Sequence, residues 1–156
     1  MRETNAVAAP LHTPPNLNYQ QIVRQSFARQ GLMGTLGARL VSVEPGCVVI
    51  ELPFSVGVSQ QHGLFHGGAI GAIADNAGGY AALSLMPAGS EVLTVEYKIN
   101  FMKPARGRLL RATGHVVRAG KSVTVIRAEV ECIGSESTAA CALLQATMMR
   151  VGSASD

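Results

Sequence analysis

The chain has 156 residues, which suits one domain with a core of its own and is short for two. Hydrophobic residues make up 47% and charged residues only 15%, with no tryptophan and 17 glycines. Packing must therefore rest on small and aliphatic side chains, and a second subunit is expected to cover part of the surface. The net charge of +3 is too slight to argue for nucleic acid, but it suits a phosphate-bearing ligand.

Met1–Asn18 carries Pro10, Pro14 and Pro15 without hydrophobic periodicity and reads as a mobile arm. It lacks the charged-then-apolar order of a secretory signal, so a cytoplasmic protein is expected. Tyr19–Gln30 (YQQIVRQSFARQ) places Ile22, Val23 and Phe27 at helical spacing, and Gly31 and Gly34 are expected to end that helix. Leu36–Glu44 and Cys47–Leu52 read as strands, joined through the turn signal Pro45-Gly46 into a hairpin. Pro53–Phe65 is a loop rich in Gly, Ser and Gln.

His66–Leu85 follows, small or apolar on every face, which predicts a long buried helix. Met86-Pro87-Ala88-Gly89 stops it. Glu91–Met102 alternates, with Leu93, Val95, Tyr97, Ile99 and Phe101 on one face and Thr94, Glu96, Lys98 and Asn100 on the other. Arg108–Arg118, Lys121–Ile133 and Thr138–Val151 read as three more strands, with turns at Lys103–Gly107, Ala119-Gly120 and Gly134–Ser137. The connections are short, so consecutive strands are expected to be antiparallel neighbours. The result is one α+β domain over 19–151, a curved antiparallel sheet around one central helix, followed by a frayed tail at 152–156.

Several chemistries are excluded by their missing parts. No GxSxG nucleophile elbow is present. Gly114–Ser122 resembles a phosphate loop but has one residue too many between its glycines and leads into a strand. His62 and His66 have helical metal-ligand spacing, yet their flanking glycines make a loop, and no metal site is assigned. The apolar stretch carries Asp75 and several glycines, which argues against a membrane span. Cys47, Cys132 and Cys141 have no CxxC spacing and are expected to be reduced core residues.

Asp75 is the chemically unusual residue. Burying a carboxylate costs several kcal/mol unless it is paired, hydrogen-bonded or protonated, and no Lys or Arg lies between Phe65 and Leu85. Its helical neighbours Gly71, Ala72, Gly78 and Gly79 are all tiny, which reads either as space for the carboxylate or as close backbone packing. At the helix start, Gly67 and Gly68 leave unpaired N–H groups open to a developing oxyanion. Asp75 is then a candidate to activate water or attack a carbonyl, and Gln60 to orient the water. His66 is a candidate acid, loop staple or helix cap. Lys103, Arg106, Arg108, Arg118 and Lys121 form a basic group suited to the phosphates of a nucleotide-tailed substrate, or simply a solvated rim.

Together, HGGAIGAIADNAGGYAA (66–82), LTVEYKINFMKPA (93–105) and RAGKSV (118–123) resemble the hot-dog-fold acyl-CoA thioesterases of the phenylacetic-acid-degradation (PaaI-type) subfamily. The resemblance runs from about Leu36 to Arg150. It implies a sheet wrapped around the helix, two subunits paired into a continuous sheet, and often a dimer of dimers, with the active site at the dimer interface. It implies Asp75 as general base or nucleophile, the Gly67 N–H as carbonyl polariser, Gln60 as an assisting amide, Thr94 as the hydroxyl that places water, and His66 as the motif histidine. Gly68, Asn76, Lys103, Arg118, Gly120 and Lys121 are the expected substrate contacts. Gly79 stands where some relatives carry a hydroxyl. The expected function is hydrolysis of an acyl-CoA to free acid and CoA, without cofactor, metal, nucleic acid or membrane. An enoyl-CoA hydratase using Asp75 with His66, and a non-catalytic acyl-CoA binder, are the alternatives.

Overall fold

A computed structural model describes residues 12–152. The first eleven residues of the expected arm, and Ser153–Asp156 of the expected tail, lie outside them. Helix α1 (Tyr19–Ala28) buries Val23 and is tied to the body by Gln20, whose Nε2 donates to the Val43 carbonyl at 3.0 Å. Helix α1 ends before Gly31, as expected, but a second short helix, α2 (Gly31–Leu36), begins there and was not expected, so Gly34 lies inside a helix. Gly37, at φ +76°, ends it instead, in a left-handed conformation that glycine adopts without strain. Strand β1 (Arg39–Glu44) consequently starts three residues later than expected. It pairs through the Pro45-Gly46 turn with β2 (Cys47–Pro53), as a hairpin.

The central helix α3 spans Gly67–Leu83. Its glycines give it poor intrinsic propensity, so packing must hold it. It lies against β2, β3 (Glu91–Phe101), β4 (Leu109–Ala119), β5 (Val123–Ile133) and β6 (Thr138–Val151), which curl around it. Ile73, Ile126, Leu144 and Met148 are fully buried at this junction. A Cβ on Gly114 of β4 would lie 2.3 Å from the Ala77 carbonyl carbon, and one on Gly78 would lie 2.2 Å from Ile126 Cδ1. Those two glycines let strand and helix approach closely. At its far end Ser84 is fully buried, donating to the Ala81 carbonyl at 2.7 Å and accepting the Gly46 N–H at 2.8 Å.

The six strands form one antiparallel sheet in the order β1-β2-β4-β5-β6-β3. This corrects the expected neighbour relation of β3 and β4, since β5 and β6 lie between them. The connection crosses the end of the sheet. Met102 N–H donates to the Cys141 carbonyl at 2.8 Å and Arg108 N–H to the Ile133 carbonyl at 2.9 Å. A short connection therefore does not produce adjacency here, because the later β5 and β6 occupy the intervening places.

The face assignment of β3 is corrected too. Thr94 pairs with Met148 and Glu96 with Thr147, so Val95 is an extra residue, a bulge. It shifts the alternation by one. Thr94 turns toward α3 together with Tyr97 and Phe101, rather than away from them. As the outermost strand, β3 leaves Leu93, Val95, Tyr97 and Phe101 at 59, 53, 47 and 55% exposure. No described helix is long and apolar enough to cross a membrane.

Candidate active site

The start of α3 is built by its flanking loop. Ser59 bridges Phe65, and the His66 N–H donates to the Val58 carbonyl at 2.9 Å. His66 is the N-cap: its Nδ1 accepts the Gly68 N–H at 2.8 Å, which places the ring proton on Nε2 when the ring is neutral. Of the roles open to His66, the structure displays the capping one. The Gly67 N–H has no acceptor among the described residues, so the helix presents one free donor at its positive end. Gly67 packs under Phe101: a Cβ there would lie 3.1 Å from Phe101 Cζ, so the ring would have to shift slightly to admit one.

Gln60 lies on the same side of the molecule, in the loop that precedes the helix. Its Oε1 accepts the His62 N–H and so closes a turn, leaving its amide nitrogen available. Gln60 does not line the cavity that contains Asp75.

Asp75 is half-buried, eight residues into α3 from Gly67, about 12 Å along the axis. Thr94 Oγ1 donates to its Oδ1 at 2.8 Å. No cation is within ion-pair distance of it among the described residues. Burial raises its pKa above the ordinary carboxylate value, opposed by the Thr94 hydrogen bond, which favours the charged form. The carboxylate is thus ionisable, basic for its type and unpaired by charge.

A cavity of about 260 Å³ opens beside it, slightly below the roughly 300–1,000 Å³ usual for ligand pockets. Asn76 lines it, held by its Nδ2 on the Ala72 carbonyl at 3.1 Å. Ser26, Gln30 and Tyr80 also line it and were absent from the expected site. Gln30 Nε2 donates to Tyr80 Oη at 2.6 Å, and Tyr80 Oη donates to Ser26 Oγ at 3.2 Å. Only the return of α1 and its following residues onto α3 brings these groups together, and no local sequence signal marks it.

The expected clearing around Asp75 is thus divided. Gly78 serves sheet packing, whereas Cβ atoms on Gly71 and Gly79 would find ordinary contacts, at 3.6 Å from Tyr97 Oη and 3.9 Å from Met148 Cε.

The expected basic group separates into two. Lys103, Arg106 and Arg108 lie on the segment crossing the sheet at the Gly67 end of α3. Arg118, Gly120 and Lys121 lie at the β4–β5 hairpin, and Thr124 just beyond it is in register with Met148 of the Asp75 cavity. Arg108, just before β4, and Arg118, near its end, are separated by about 30 Å of strand once the bulge at Val117 is discounted. Within one chain the two groups cannot hold the same phosphate. Gly68 is an exposed residue of the capped helix start.

A long, mostly apolar helix wrapped by a curled six-stranded antiparallel sheet, with a lone carboxylate in its third turn and a free N–H at its start, defines a hot-dog fold. The family model described as "Thioesterase superfamily" matches residues 62–139. The chain belongs to that superfamily. A crystal structure of a thioesterase family protein from Silicibacter pomeroyi superposes with a TM-score of 0.85 at 41% identity, covering 86% of this chain and 99% of that one. A 1,4-dihydroxy-2-naphthoyl-CoA hydrolase of Listeria monocytogenes is 32% identical over 95 residues, 61% of this chain and 77% of that protein. An esterase-named protein of Saccharolobus solfataricus is 35% identical over 94 residues, 60% of this chain, and the chain spans 66% of its length.

Proposed function

We propose that this protein hydrolyses acyl-CoA thioesters to a free carboxylic acid and CoA, as a PaaI-type member of its superfamily. The observation that carries the reading is Asp75: a half-buried carboxylate with no cationic partner, held by one hydroxyl beside a cavity. Such a group is an energetic burden to a fold and an asset to a reaction. In the general-base route, Asp75 takes a proton from water as the water oxygen bonds to the thioester carbon. The carbonyl oxygen becomes an oxyanion facing the Gly67 N–H, whose position at the helix start suits negative charge. The C–S bond then breaks, and the CoA sulfur takes the proton. In the nucleophilic route Asp75 attacks the carbonyl carbon itself, the C–S bond breaks to release CoA as a thiolate, and water hydrolyses the resulting anhydride to the free acid and Asp75, its released proton going to the thiolate. Thr94 orients the carboxylate in either route, and Gln60 orients the water.

The 12 Å between Gly67 and Asp75 on one helix exceeds the reach of a single carbonyl group. A second copy therefore supplies one of the two groups, and the open, apolar β3 edge is the surface that invites it. A homodimer, or a dimer of dimers, follows from the same reading. The enoyl-CoA hydratase alternative needs His66 as an acid–base partner of Asp75, yet His66 Nδ1 is occupied in capping α3, where it accepts the Gly68 N–H. The three cysteines are free, which fits a cytoplasmic location. Incubating the purified protein with a panel of aliphatic and aromatic acyl-CoAs, with thiol release as readout, tests the proposal. No release from any ester, with the same esters binding, would leave the acyl-CoA binder.

A further inference from the structure

The cavity beside Asp75 reaches past the carboxylate to Tyr80, Gln30 and Ser26. Tyr80 is five residues further along α3, about 7.5 Å on along the axis, so it stands beyond the reacting groups. Its side chain is 4% exposed, and its ring is tilted against Phe27 with centroids 6.1 Å apart. A buried phenol needs partners for its hydroxyl, and these come from α1 and the residues after it. Gln30 Nε2 donates to Tyr80 Oη at 2.6 Å, and Tyr80 Oη donates to Ser26 Oγ at 3.2 Å.

That chain of bonds decides which groups are left over. A phenol has one proton, and Ser26 receives it, so the Gln30 amide must turn its nitrogen toward Tyr80. Gln30 Oε1, an acceptor, and the Ser26 O–H, a donor, then have no partner among the described residues. The charge of the wall is one-sided. Asp75 and Glu91 line the cavity, no Lys, Arg or His does, and neither carboxylate is ion-paired among the described residues.

Three kinds of acyl end fare differently against this wall. A terminal carboxylate meets like charge with no cation to offset it. A terminal methyl covers the free amide oxygen and the free hydroxyl and leaves both unpaired. A terminal hydroxyl satisfies both, donating to Gln30 Oε1 and accepting from Ser26.

We propose that Gln30, Ser26 and Tyr80 determine the acyl specificity of this site, selecting an acyl group with a neutral hydroxyl at its far end over the plain alkyl and the carboxylated analogues. Gln30 and Ser26 touch the hydroxyl, and Tyr80 is the positioning residue that holds them both. The inference rests on the thioesterase reading for the reaction at Asp75, whereas the choice of acyl end rests on the cavity wall.

The test compares three CoA esters of one chain length, hexanoyl, 6-hydroxyhexanoyl and adipoyl, on the full chain and on its Gln30→Leu and Tyr80→Phe variants. The readout is the ratio of kcat/KM values between esters on one preparation, from which any loss of folded protein cancels. The parent is expected to favour the 6-hydroxyhexanoyl ester by at least about tenfold over hexanoyl, with adipoyl the poorest of the three. Both variants should lose most of the hydroxyl preference while still rejecting adipoyl, because Asp75 and Glu91 are untouched. A parent without hydroxyl preference, a preference that either variant retains, or adipoyl turned over as fast as the hydroxy ester overturns the assignment. Calorimetric titration of the same esters separates this inference from the reading beneath it. A protein that hydrolyses none of them, yet binds 6-hydroxyhexanoyl-CoA more tightly than hexanoyl-CoA through Gln30, keeps the acyl site and loses the thioesterase reading. One that neither hydrolyses nor discriminates loses both.

Discussion

Asp75→Asn separates chemistry from architecture at one atom. Asparagine keeps the shape of the side chain and an oxygen that can still accept from Thr94 Oγ1, now 2.8 Å from Asp75 Oδ1. It removes the charge and the basicity. A positioned general base contributes about 10²–10⁴ in rate, and each tenfold is about 1.36 kcal/mol, so the barrier should rise by about 2.7–5.4 kcal/mol. The fall is larger if Asp75 is the nucleophile. Stability should hold or rise, because no described cation loses a partner and a carboxylate no longer has to be desolvated. The pH dependence gives a second, signed readout. The folded-state pKa is raised by burial, so the folded protein binds the proton more tightly than the unfolded chain. The contribution of this group to stability therefore decreases as pH climbs from its ordinary value of 3.8 through the raised one, and Asp75→Asn should remove that slope. Thiol-release kinetics and melting temperature against pH, on the same preparations, report both effects. A variant that melts much earlier yet keeps near-normal kcat per folded molecule would refute the catalytic reasoning and return Asp75 to the structural core.

Thr94→Val deletes the one hydrogen bond that favours the ionised carboxylate, so the Asp75 pKa should rise further and the acid limb of the kcat/KM profile should move to higher pH. A limb that stays in place would show that Asp75 does not govern it. Gly79→Ala should stabilise the isolated fold by about 0.5–1 kcal/mol, since alanine is the better helix former and its Cβ would meet Met148 Cε only at 3.9 Å. Turnover should fall in the same variant because the methyl group enters the space beside Asp75; unchanged turnover with raised stability would mean that the substrate does not use that space. Light scattering at micromolar concentration should give a dimer or a tetramer, and a fully active monomer would overturn the composite site.

The helix and its carboxylate are legible in the sequence because both signals are local. An unbroken run of small and apolar residues can only be buried, and a charge inside that run is conspicuous. The free Gly67 N–H is legible for the same reason, since helix starts leave N–H groups open whatever the tertiary structure. Strand order is not local. The turn at Lys103–Gly107 looks like a hairpin in one dimension, but β5 and β6 insert between the strands that it joins. Nor does alternation reveal a bulge. With strict period two, Thr94 points away from Tyr97, and only the pairing with β6 shows that Val95 is extra. That added residue brings the Thr94 hydroxyl to Asp75. The basic residues fail as a single group because sequence distance hides the length of a strand, which here puts about 30 Å of β-structure between Arg108 and Arg118.

The glycines of α3 show how the structure distinguishes packing from function where composition cannot. Each glycine in a helix interior costs roughly 0.5–1 kcal/mol relative to alanine, so each requires a compensating reason. Gly78 has one in Ile126, which a methyl group would strike at 2.2 Å. Gly67 and Gly68 sit at the helix start, one against Phe101 and the other against its own cap, with Cβ positions 3.1 and 3.0 Å from those rings. Gly71 and Gly79 have no such reason within the chain, and they are the residues one turn before and one turn after Asp75. Packing of a single subunit would favour alanine at both. The space kept at these two positions therefore answers to something outside that packing. On the proposed reading, that space is the room an acyl group and an attacking water would need on either side of Asp75.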